Sequence, residues 1–429
     1  MEKCNIRYLK EAKELHCRMK KIYRIFAGMV SALTISALSL SLYAGHSLPD
    51  FVYLAQGQEV AELELSPASF SGAAITVGAP VGQTVDAGED RYSVGLRMFG
   101  AISVKDILVQ VVPREYVLPG GSPFGIKMFT DGVMVVGMTD VINSGETRNP
   151  AKEAGIRLGD VITRINGKRV STNEEVAALV ERSGGSPLSM EVRREGRETF
   201  EASLLPVRSD DADVYRAGMW VRDSSAGIGT LTFIDPETSR FAGLGHGVCD
   251  IDTGSLMPLS SGEAVDVVIT GVTKGMSGSP GELRGTFTEA QPMGVLLRND
   301  STGIYGQLNP SAIDLGDVSP APVAMRQEVK AGKASIRTTV DGGEPEEYEI
   351  VIEKVNFSEA NPTRNMVIRV TDPRLLSKTG GIVQGMSGSP ILQNGKLVGA
   401  VTHVFVNDPA RGYGIFAENM EKCLSELVP

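Results

Sequence analysis

The sequence contains the same serine-centred hexapeptide, Gly-Met-Ser-Gly-Ser-Pro, at residues 275–280 and again at residues 385–390. A glycine two places before the central serine lets the backbone turn, so that the amides of Gly385 and Ser387 can point into one pocket. Such a pair stabilises the oxyanion of a tetrahedral intermediate, and losing one donor costs about 3 kcal/mol. The Gly-x-Ser-x-Gly pattern of α/β-hydrolases is not met. The motif therefore indicates a serine nucleophile with an oxyanion hole.

A serine needs a base at neutral pH, and the chain offers four histidines, His16, His46, His246 and His403. His246 lies among small residues, in Gly-Leu-Gly-His-Gly, which would leave its ring free. It precedes Ser387 by 141 residues but Ser277 by only 31, and the long spacing suits a base and a nucleophile that come from two β units. We therefore predict His246 as the base and Ser387 as the nucleophile, with Ser277 in a structural turn.

The residues around the nucleophile also suggest a substrate pocket. His403 follows Ser387 by 16 residues and is the competing base. In chymotrypsin-like peptidases the strand at this offset forms the pocket wall, so Thr402 and His403 are expected there. Gly381 stands six places before Ser387, where trypsin-like enzymes have the pocket floor. Because Gly381 carries no charge, we expect a small or apolar residue before the scissile bond.

Composition limits the classes of function. With 429 residues, 42% of them hydrophobic and 22% charged, the chain can form several domains, and global disorder, collagen and coiled coil are excluded. The net charge is −10, and residues 1–24 contribute +5 of it (eight Lys or Arg and three Glu), so the remaining −15 argues against nucleic-acid binding. Residues 250–254 lack the ligand spacing of a calcium loop, and no zinc or phosphate-loop motif is present, so no metal or cofactor is expected.

The N-terminus has the pattern of a membrane anchor. Residues 25–45 are apolar or small and contain no charged side chain, which is enough for a helix to cross a hydrocarbon core of about 30 Å. Arg18, Lys20, Lys21 and Arg24 come just before this stretch, so the positive-inside rule keeps residues 1–24 in the cytoplasm and exports the rest. A cleaved signal peptide is the alternative interpretation. His16 and His46 would then lie in the tail and at the membrane edge, away from the chemistry.

Residues 46–116 are predicted to form a small β-rich segment, since residues 60–65 and 107–112 alternate as strands do.

Residues 117–206 follow a different pattern, with Asn-Pro-Ala-Lys-Glu-Ala-Gly-Ile-Arg-Leu-Gly-Asp-Val-Ile-Thr-Arg-Ile-Asn-Gly at 149–167. This run resembles a PDZ domain of the bacterial protease type. A helix is expected after Thr172, and a groove between this helix and a strand would accept an added peptide strand. A compact αβ module with a blocked groove is the alternative.

After the polar stretch 209–213, residues 212–429 lack helical periodicity until residues 416–427. Besides the hexapeptide, Asn299-Asp300 recurs as Asn407-Asp408 and Tyr305-Gly306 as Tyr413-Gly414. Two similar β units, at about 212–330 and 331–429, are therefore predicted. Cys249 and Cys423 could form a disulfide outside the cytoplasm or remain isolated thiols. The fold class expected for the whole chain is mainly β, with a double β-barrel, a PDZ domain and an N-terminal transmembrane helix.

The exported chain resembles the SpoIVB (stage IV sporulation protein B) peptidases. The resemblance is carried by Phe-Ala-Gly-Leu-Gly-His-Gly at 241–247, Thr-Asp-Pro at 371–373, the hexapeptide at 385–390 and Gly-Ala-Val-Thr-His at 399–403. It implies a chymotrypsin-like fold with His246 as base, Ser387 as nucleophile and Asp372 as the acid that orients the imidazole. Spacing alone does not select Asp372, because Asp300, Asp314 and Asp317 also lie between the histidine and the serine.

The resemblance also implies a role. It predicts a membrane-tethered serine endopeptidase that signals between compartments during spore formation, on the forespore side of an intermembrane space. Its partners would be protein substrates, namely its own chain and a membrane-bound inhibitor of an intramembrane protease that activates a late sigma factor. The PDZ groove would bind a peptide, and a segment of this chain is one candidate. The alternative function is a catalytically dead adaptor in which the barrel and the PDZ domain only bind peptides.

Overall fold

The structure is a computed structural model that describes residues 2–57, 75–80, 91–98, 102–194, 198–288, 291–309 and 318–427. The chain forms two compact units, residues 1–113 and 114–429. The predicted strand at residues 60–65 lies outside the described residues, as do Asp314 and Asp317.

The first unit begins with a long helix, α1 (Glu2–Ser47). Its segment Met19–Tyr43 is 25 residues long, has a mean hydropathy of 1.9, and is long and apolar enough to cross a membrane. Apolar side chains of this segment such as Leu33 and Leu42 are exposed, at 70% and 68%. A helix that exposes this much apolar surface would be stabilised by burial in lipid, as the predicted anchor at 25–45 requires.

A four-stranded sheet completes the first unit, in the spatial order β1-β4-β3-β2. Its strands are β1 (Phe51–Ala55), β2 (Ile75–Pro80), β3 (Arg91–Met98) and β4 (Ile102–Val112). β1 is parallel to β4, whereas the other pairs are antiparallel. Alternate residues of β4, such as Ile107 and Val109, are buried in a small core, which confirms the predicted strand at 107–112.

The second unit starts with the elements of the predicted PDZ region. They are β5 (Tyr116–Pro119), β6 (Pro123–Met138), β7 (Val141–Asn143), β8 (Glu146–Arg148), α2 (Pro150–Glu153), β9 (Val161–Ile165), β10 (Lys168–Arg169), α3 (Asn173–Arg182), β11 (Leu188–Arg194), β12 (Glu198–Leu204), β13 (Val207–Arg208) and β14 (Tyr215–Arg216). Thr172 caps α3 by accepting the amide of Glu175. Val176 and Val180 face the core one turn apart, as the helical spacing predicted.

The stretch at 209–213 is a hairpin turn rather than an open linker. The Ser209 amide donates to the Val214 carbonyl over 2.8 Å, and the Asp213 amide donates to the Ser209 carbonyl over 3.0 Å. This turn joins β13 to β14, which are antiparallel. The chain therefore folds back onto the PDZ region instead of leaving it, and residues beyond 206 belong to the PDZ core.

Eight strands and one 3-10 turn follow up to the middle of the peptidase region. They are β15 (Met219–Ile234), β16 (Arg240–Gly243), β17 (Leu259–Thr273), β18 (Glu282–Phe287), β19 (Gly294–Asp300), β20 (Gly303–Leu308), β21 (Ala321–Pro322), the 3-10 turn Arg326–Glu328 and β22 (Gly332–Thr338). β15 through β21 belong to a 13-stranded sheet that also includes β6, β9, β11 and β12. β6 is antiparallel to residues 219–230 of β15, so these two strands connect the PDZ strands to the sheet that follows them.

The second half closes into a six-stranded barrel with the order β22-β23-β24-β27-β26-β25. Its further elements are β23 (Glu346–Val355), β24 (Met366–Val370), α4 (Pro373–Thr379), β25 (Pro390–Gln393), β26 (Lys396–Phe405), β27 (Asp408–Phe416) and α5 (Ala417–Ser425). Tyr348, Ile350 and Ile352 lie at alternate positions of β23, and their side chains fill the barrel.

The two halves share a core. Phe233 and Tyr305 of the first half pack in one cluster with Ala400 and Ile415 of the barrel and with Met420 of α5. The fold is therefore mainly β, with a PDZ region and a two-part peptidase region that carries an interface between its halves.

Candidate functional site

The loop that carries His246 follows β16 and has a strained backbone. Leu244 and Gly245 both have positive φ, 65° and 68°. Leu244 is only 5% exposed, and a left-handed conformation costs a leucine about 1–2 kcal/mol. A Cβ on Gly245 would lie 3.1 Å from the Thr402 side chain, so the loop packs directly against β26. This bend brings His246 to the interface between the two halves.

One ring nitrogen of His246 is held by the backbone. Nδ1 lies 2.9 Å from the carbonyl oxygen of Gly247, so Nδ1 carries the proton and Nε2 keeps its lone pair. The same peptide group is fixed at its other end, because the Val248 amide donates to Oδ1 of Asn299 over 2.8 Å. Burial lowers the pKa of His246, which keeps the imidazole neutral and able to accept a proton.

Ser387 lies in a loop whose carbonyls are fixed by β15. The amide of Thr230 donates to the Ser387 carbonyl over 2.9 Å, and the Thr230 hydroxyl donates to the Gly385 carbonyl over 2.8 Å. The hydroxyl of Thr232 donates to the Gly388 carbonyl over 2.7 Å. Gly388 has φ 96°, and a Cβ there would lie 2.0 Å from the Thr230 carbonyl oxygen, so only glycine fits.

The carbonyl bonds leave two amides available. Within the described part of the chain, neither the Gly385 amide nor the Ser387 amide donates to a protein acceptor, whereas the Met386 and Gly388 amides donate to Val383 and Val401. Gly385 has φ 95°, the left-handed turn that the sequence predicted before the serine. Two unpaired amides, one of the nucleophilic serine and one two residues before it, are the donors that an oxyanion hole requires.

The loops of His246 and Ser387 pack against each other across the interface. A Cβ on Gly388 would lie 2.5 Å from the Leu244 nitrogen, and the Leu244 amide donates to the Thr230 carbonyl over 3.3 Å. No hydrogen bond joins the two side chains among the described contacts; the Ser387 hydroxyl donates to the Thr402 carbonyl over 2.8 Å. The structure therefore brings the two residues together through their loops, with the hydroxyl turned towards β26.

His403 lies beside His246. The ring centroids are 4.8 Å apart with an interplanar angle of 35°. Partial loss of water contact, the neighbouring His246 and the charge of Arg364 together lower the pKa of His403 to about 4. Thr402 is buried and its hydroxyl donates to the Thr363 carbonyl over 2.8 Å. Both residues predicted in the pocket wall thus lie next to the proposed base and nucleophile.

Gly381, the predicted pocket floor, is buried against the turn between β26 and β27. A Cβ at this position would lie 2.2 Å from the Pro409 carbonyl oxygen, and the Ile382 amide donates to the same oxygen over 2.7 Å. No side chain can be accommodated at residue 381. A counter-ion for a basic substrate residue therefore cannot come from this position.

Asp372 lies at the start of α4, and the described contacts of its carboxylate do not include His246. The carboxylate caps the helix by accepting the Arg374 amide over 2.8 Å, accepts the Glu349 amide over 3.2 Å, and pairs with the Arg374 guanidinium over 2.9 Å. The Arg374 contacts lower the pKa of Asp372 to about 2. In this conformation the acceptor for the His246 ring is the Gly247 carbonyl, and the orienting role of Asp372 stays a prediction.

Asp300, an alternative acid, lies closer to the base. A Cβ on Gly247 would lie 2.6 Å from the Asp300 carbonyl oxygen. The Asp300 carboxylate, however, accepts from Arg298 over 3.2 Å and from the Thr302 hydroxyl over 3.1 Å. It stabilises the turn between β19 and β20 and does not contact the imidazole.

The first copy of the hexapeptide connects β17 to β18. The Ser277 hydroxyl is exposed and donates to the Asn407 carbonyl over 3.0 Å. The Gly275 amide donates to the Thr379 carbonyl over 2.8 Å, and Gln384, one residue before Gly385, donates its amide to the Gly281 carbonyl over 2.8 Å. This hairpin turn therefore holds the residues just before the Ser387 loop, Thr379 and Gln384, by backbone hydrogen bonds.

Cys249 and Cys423 are free thiols, one exposed and one buried, so they do not form the disulfide considered from the sequence. The turn at 250–254 is closed by Asp250, whose carboxylate accepts the Thr253 amide over 2.9 Å and pairs with Arg222. Across the described ranges, no group of three or more His, Cys, Asp or Glu side chains could hold a metal ion.

α3 lies beside β14 and the first residues of β15. The Tyr215 amide donates to the Glu181 carboxylate over 2.7 Å near the end of α3, and the Asn173 amide at its start donates to the Asp223 carboxylate over 3.0 Å. Residues 215–223 thus run antiparallel to the helix. Met219 packs on the PDZ core but stays half-buried. This segment, residues 215–223, lies beyond the predicted PDZ range of 117–206.

The second edge of residues 219–222 is not paired with any of the described strands, because β15 pairs there with β6 alone. An unpaired strand edge beside a helix has the backbone donors and acceptors that an added peptide strand needs. This edge is what the groove predicted after Thr172 requires, the groove itself stays a prediction, and the strand continues directly to Thr230 and Thr232.

Three positioning residues were missed from the sequence: Thr230, Thr232 and Asn299. Threonines in a strand are common, and nothing in the local pattern distinguishes these two from Thr270 or Thr286. Asn299 had one signal, since Asn299-Asp300 recurs in the second unit as Asn407-Asp408. Its amide group donates to the carbonyls of Val248 and Met257, each over 2.9 Å, and so fixes the segment after His246.

One curated protein is similar to part of this chain. Among curated proteins, the "Putative zinc metalloprotease" of Vibrio cholerae serotype O1 (strain ATCC 39315 / El Tor Inaba N16961) is 24% identical over 203 residues, which are 47% of this chain and 42% of that protein. The chain thus spans less than half the length of this curated relative.

Two solved structures of the M. tuberculosis H37Rv protease Rv3671c are also similar. Its inactive form has a TM-score of 0.28 and 15% identity, and the match covers 47% of this chain and 85% of that one. An inactive serine-to-alanine mutant has a TM-score of 0.27 and 14% identity over 47% of this chain and 83% of that one. TM-scores this low do not support a shared arrangement.

The sequence profile of the SpoIVB peptidase S55 family matches residues 213–421, and that of a PDZ domain matches residues 141–194. The first match includes both loops that meet at the interface, and the second includes α3 and the strands beneath it. Residues 213–421 therefore carry the sequence pattern of the SpoIVB peptidases, and residues 141–194 carry that of a PDZ domain.

Proposed function

We propose that the protein is a membrane-tethered serine endopeptidase in which Ser387 is the nucleophile and His246 is the general base. The observation that carries this assignment is the meeting of two loops at one interface. One loop holds an imidazole with a free Nε2, and the other holds the Ser387 hydroxyl together with the unpaired amides of Gly385 and Ser387. Serine hydrolysis needs these three parts, a base, a nucleophile and oxyanion donors, in one place.

The first step requires a rotation of the Ser387 side chain. Its hydroxyl leaves the Thr402 carbonyl and turns about the Cα–Cβ bond towards Nε2 of His246. Oγ then attacks the peptide carbonyl carbon while Nε2 takes the proton, and Nδ1 keeps its own proton on the Gly247 carbonyl. The amides of Gly385 and Ser387 receive the negative charge on the carbonyl oxygen.

In the second step the imidazolium returns the proton to the leaving amine, and the C–N bond breaks to give an acyl-enzyme. Water then attacks the ester carbonyl and gives a proton to Nε2, which returns it to Oγ as the acid product leaves. The imidazolium is stabilised by the Gly247 carbonyl, which Asn299 holds through the Val248 amide. In this scheme Asp372 acts at a distance, by fixing the start of α4 ahead of the Gly381 and Ser387 loops.

The family points to a role in spore formation. We place the peptidase region outside the cytoplasm, in an intermembrane space on the forespore side, with residues 25–45 in the membrane. Its substrates would be its own chain and a membrane-bound inhibitor of an intramembrane protease, so that cleavage activates a late sigma factor. The apolar helix and the unpaired edge of β15 support the tethering and the peptide binding that this role requires.

A fluorophosphonate probe tests the catalytic assignment, because it reacts only with an activated serine. The full chain in detergent micelles should be labelled, Ser387→Ala should not be, and Ser277→Ala should be labelled like the natural chain. Ser277 is a matched control, since it occupies the same place in an identical hexapeptide.

Absence of labelling in the natural chain, with folding verified by circular dichroism, would favour the second candidate function, a peptide-binding adaptor. Labelling that survives in Ser387→Ala and disappears in Ser277→Ala would move the nucleophile to the hairpin turn. Self-cleavage should also stop in Ser387→Ala, and N-terminal sequencing of the natural chain would give the scissile bond.

A further inference from the structure

A basic pocket lies beside the candidate site on the outer face of the second barrel. Its volume is about 240 Å³, and Lys354, Arg364 and Tyr413 line it together with two amide side chains, Asn356 and Asn361. No acidic residue lines this pocket. The pocket is notable in a chain whose net charge is −10.

The strand register connects this pocket to the site. Lys354 on β23 is opposite Val367 on β24, and Val367 is opposite Tyr413 on β27. On the far side of β27, the register with β26 shifts between Val401 and Val404, which places Thr402 and His403 beside Tyr413. The row of side chains that begins at Lys354 therefore ends next to His403, whose ring lies beside that of His246.

A second connection runs through Thr402. Its carbonyl accepts the Ser387 hydroxyl, and its own hydroxyl donates to the carbonyl of Thr363, the residue before Arg364. The Arg364 guanidinium also lies near enough to His403 to lower the pKa of that imidazole. Pocket and nucleophile are therefore neighbours on one surface.

The two cations in the pocket are not neutralised. Among the residues that the structure describes, neither Lys354 nor Arg364 forms an ion pair, and Arg364 lies over the Tyr413 ring at 5.0 Å. The nearest acid in sequence, Glu353, is paired with Arg369 and Arg411 at 2.6 Å each. Two unpaired cations with amide donors around them form a site suited to a carboxylate.

We propose that this pocket is a substrate subsite that binds an aspartate or glutamate side chain of the peptide held at Ser387. The proposal rests on the proposed peptidase function. The guanidinium of Arg364 would bind the carboxylate, Lys354 would add a second positive charge, and the two asparagines would complete the hydrogen bonds. Specificity would then come from two substrate residues. One is an acidic residue at a fixed distance from the scissile bond, and the other is the small or apolar residue that is expected before this bond, facing Gly381.

A randomised decapeptide library tests this subsite, with cleaved products identified by mass spectrometry. The full chain in detergent micelles should enrich Asp and Glu at one fixed position relative to the cleaved bond. In Lys354→Gln/Arg364→Gln the ratio of acidic to neutral residues at that position should fall about three- to tenfold, the effect of two partly exposed ion pairs. The charge-matched control Lys333→Gln/Lys422→Gln, which changes exposed lysines outside the pocket, should keep the natural ratio.

Charge reversal gives a second measurement. Lys354→Glu/Arg364→Glu should replace the acidic enrichment with Lys and Arg, and 0.5 M salt should weaken either preference, since the screening length then falls to about 4 Å. If the natural chain is labelled by the fluorophosphonate and cleaves peptides without an acidic preference, the subsite is wrong and the peptidase assignment stands. If the natural chain is not labelled at all, the peptidase function itself fails.

Discussion

The hydroxyl of Ser387 donates to the carbonyl oxygen of Thr402 over 2.8 Å, so the resting side chain is bonded to β26 and not to His246. Breaking one neutral hydrogen bond of this kind costs about 1 kcal/mol, which slows a reaction by no more than about tenfold. The contact therefore holds the hydroxyl in a defined place without preventing its rotation towards the base. Peptide binding next to Thr402 would favour that rotation.

The acid limb of the activity profile should lie lower than that of an ordinary histidine. Burial lowers the pKa of His246, and the imidazole accepts a proton only in its neutral form, which predominates above that pKa. We expect kcat/KM to stay near its maximum as pH falls to about 6.5, the pKa of an unperturbed histidine, and to decline only below it. The pH dependence of kcat/KM with a cleaved library peptide measures this. An acid limb centred above pH 7 would contradict the buried base.

Asn299→Ala should reduce activity by loosening the base. The substitution removes the acceptor of the Val248 amide and frees the peptide group that holds Nδ1 of His246. We expect kcat to fall about tenfold or more, with KM little changed, because the loss affects the imidazolium of the transition state. Asn309→Ala is the control, since Asn309 donates only to the Pro292 carbonyl on an exposed turn. Equal activity of the two variants would show that Asn299 does not position His246.

Thr230→Val should disturb the oxyanion amides. The substitution conserves shape but removes the hydroxyl that donates to the Gly385 carbonyl in a buried setting. We expect unfolding to become about 1–2 kcal/mol easier and the rate of fluorophosphonate labelling to fall about tenfold. Urea titration and labelling kinetics give the two quantities.

The control for this change is Thr270→Val, because Thr270 donates to the Arg284 carbonyl at an exposed site on β17. If both threonine variants label at the natural rate, the β15 contact is irrelevant to the oxyanion hole.

Asp372→Asn separates a capping role from an orienting role. The loss of the cap and of the charge opposite Arg374 should destabilise the fold by about 1 kcal/mol. Arg374→Gln removes the same ion pair and serves as the comparison. If both variants lose stability and keep the natural acid limb, Asp372 acts through α4; an altered limb in Asp372→Asn alone would support the family's orienting acid.

The pKa of Asp372 gives the pH range of this contribution. Arg374 holds that pKa at about 2 in the folded protein, below the value of about 3.9 expected in the unfolded chain. The stabilisation is therefore complete well above pH 4 and is lost as pH falls from about 4 through 2. Urea midpoints measured between pH 3 and pH 6 should converge for the natural chain and Asp372→Asn at the acid end.

The sequence predicted the candidate catalytic residues better than the residues that hold them in place. His246 and Ser387 could be chosen because histidines are few and the serine motif is specific, and the two-unit repeat explained their long separation. Thr230 and Asn299 act through contacts 155 and 51 residues away, and strand threonines or turn asparagines have no local mark of such contacts. Asp372 came from the family resemblance, and its observed partners are residues that the motif did not include.

The predicted domain limits rest on composition and stay a prediction. The polar residues 209–213 have the composition of a linker, and hairpin turns have the same composition. β15 is one unbroken strand over residues 219–234, so no strand boundary separates the PDZ strands from the sheet that follows them. The strands of the closed barrel lie within residues 332–416, inside the predicted second unit of 331–429.

The continuity of β15 makes the two modules inseparable. A PDZ fragment ending at residue 206 would lack the edge strand that lies beside α3, and the half-buried side chains over its core would be missing. A peptidase fragment beginning at residue 224 would have β15 start without its upstream pairs with β6. Exchanging one module for a homologous one would thus require a graft within a single strand. The peptide-binding edge and the candidate catalytic residues are therefore expected to evolve together.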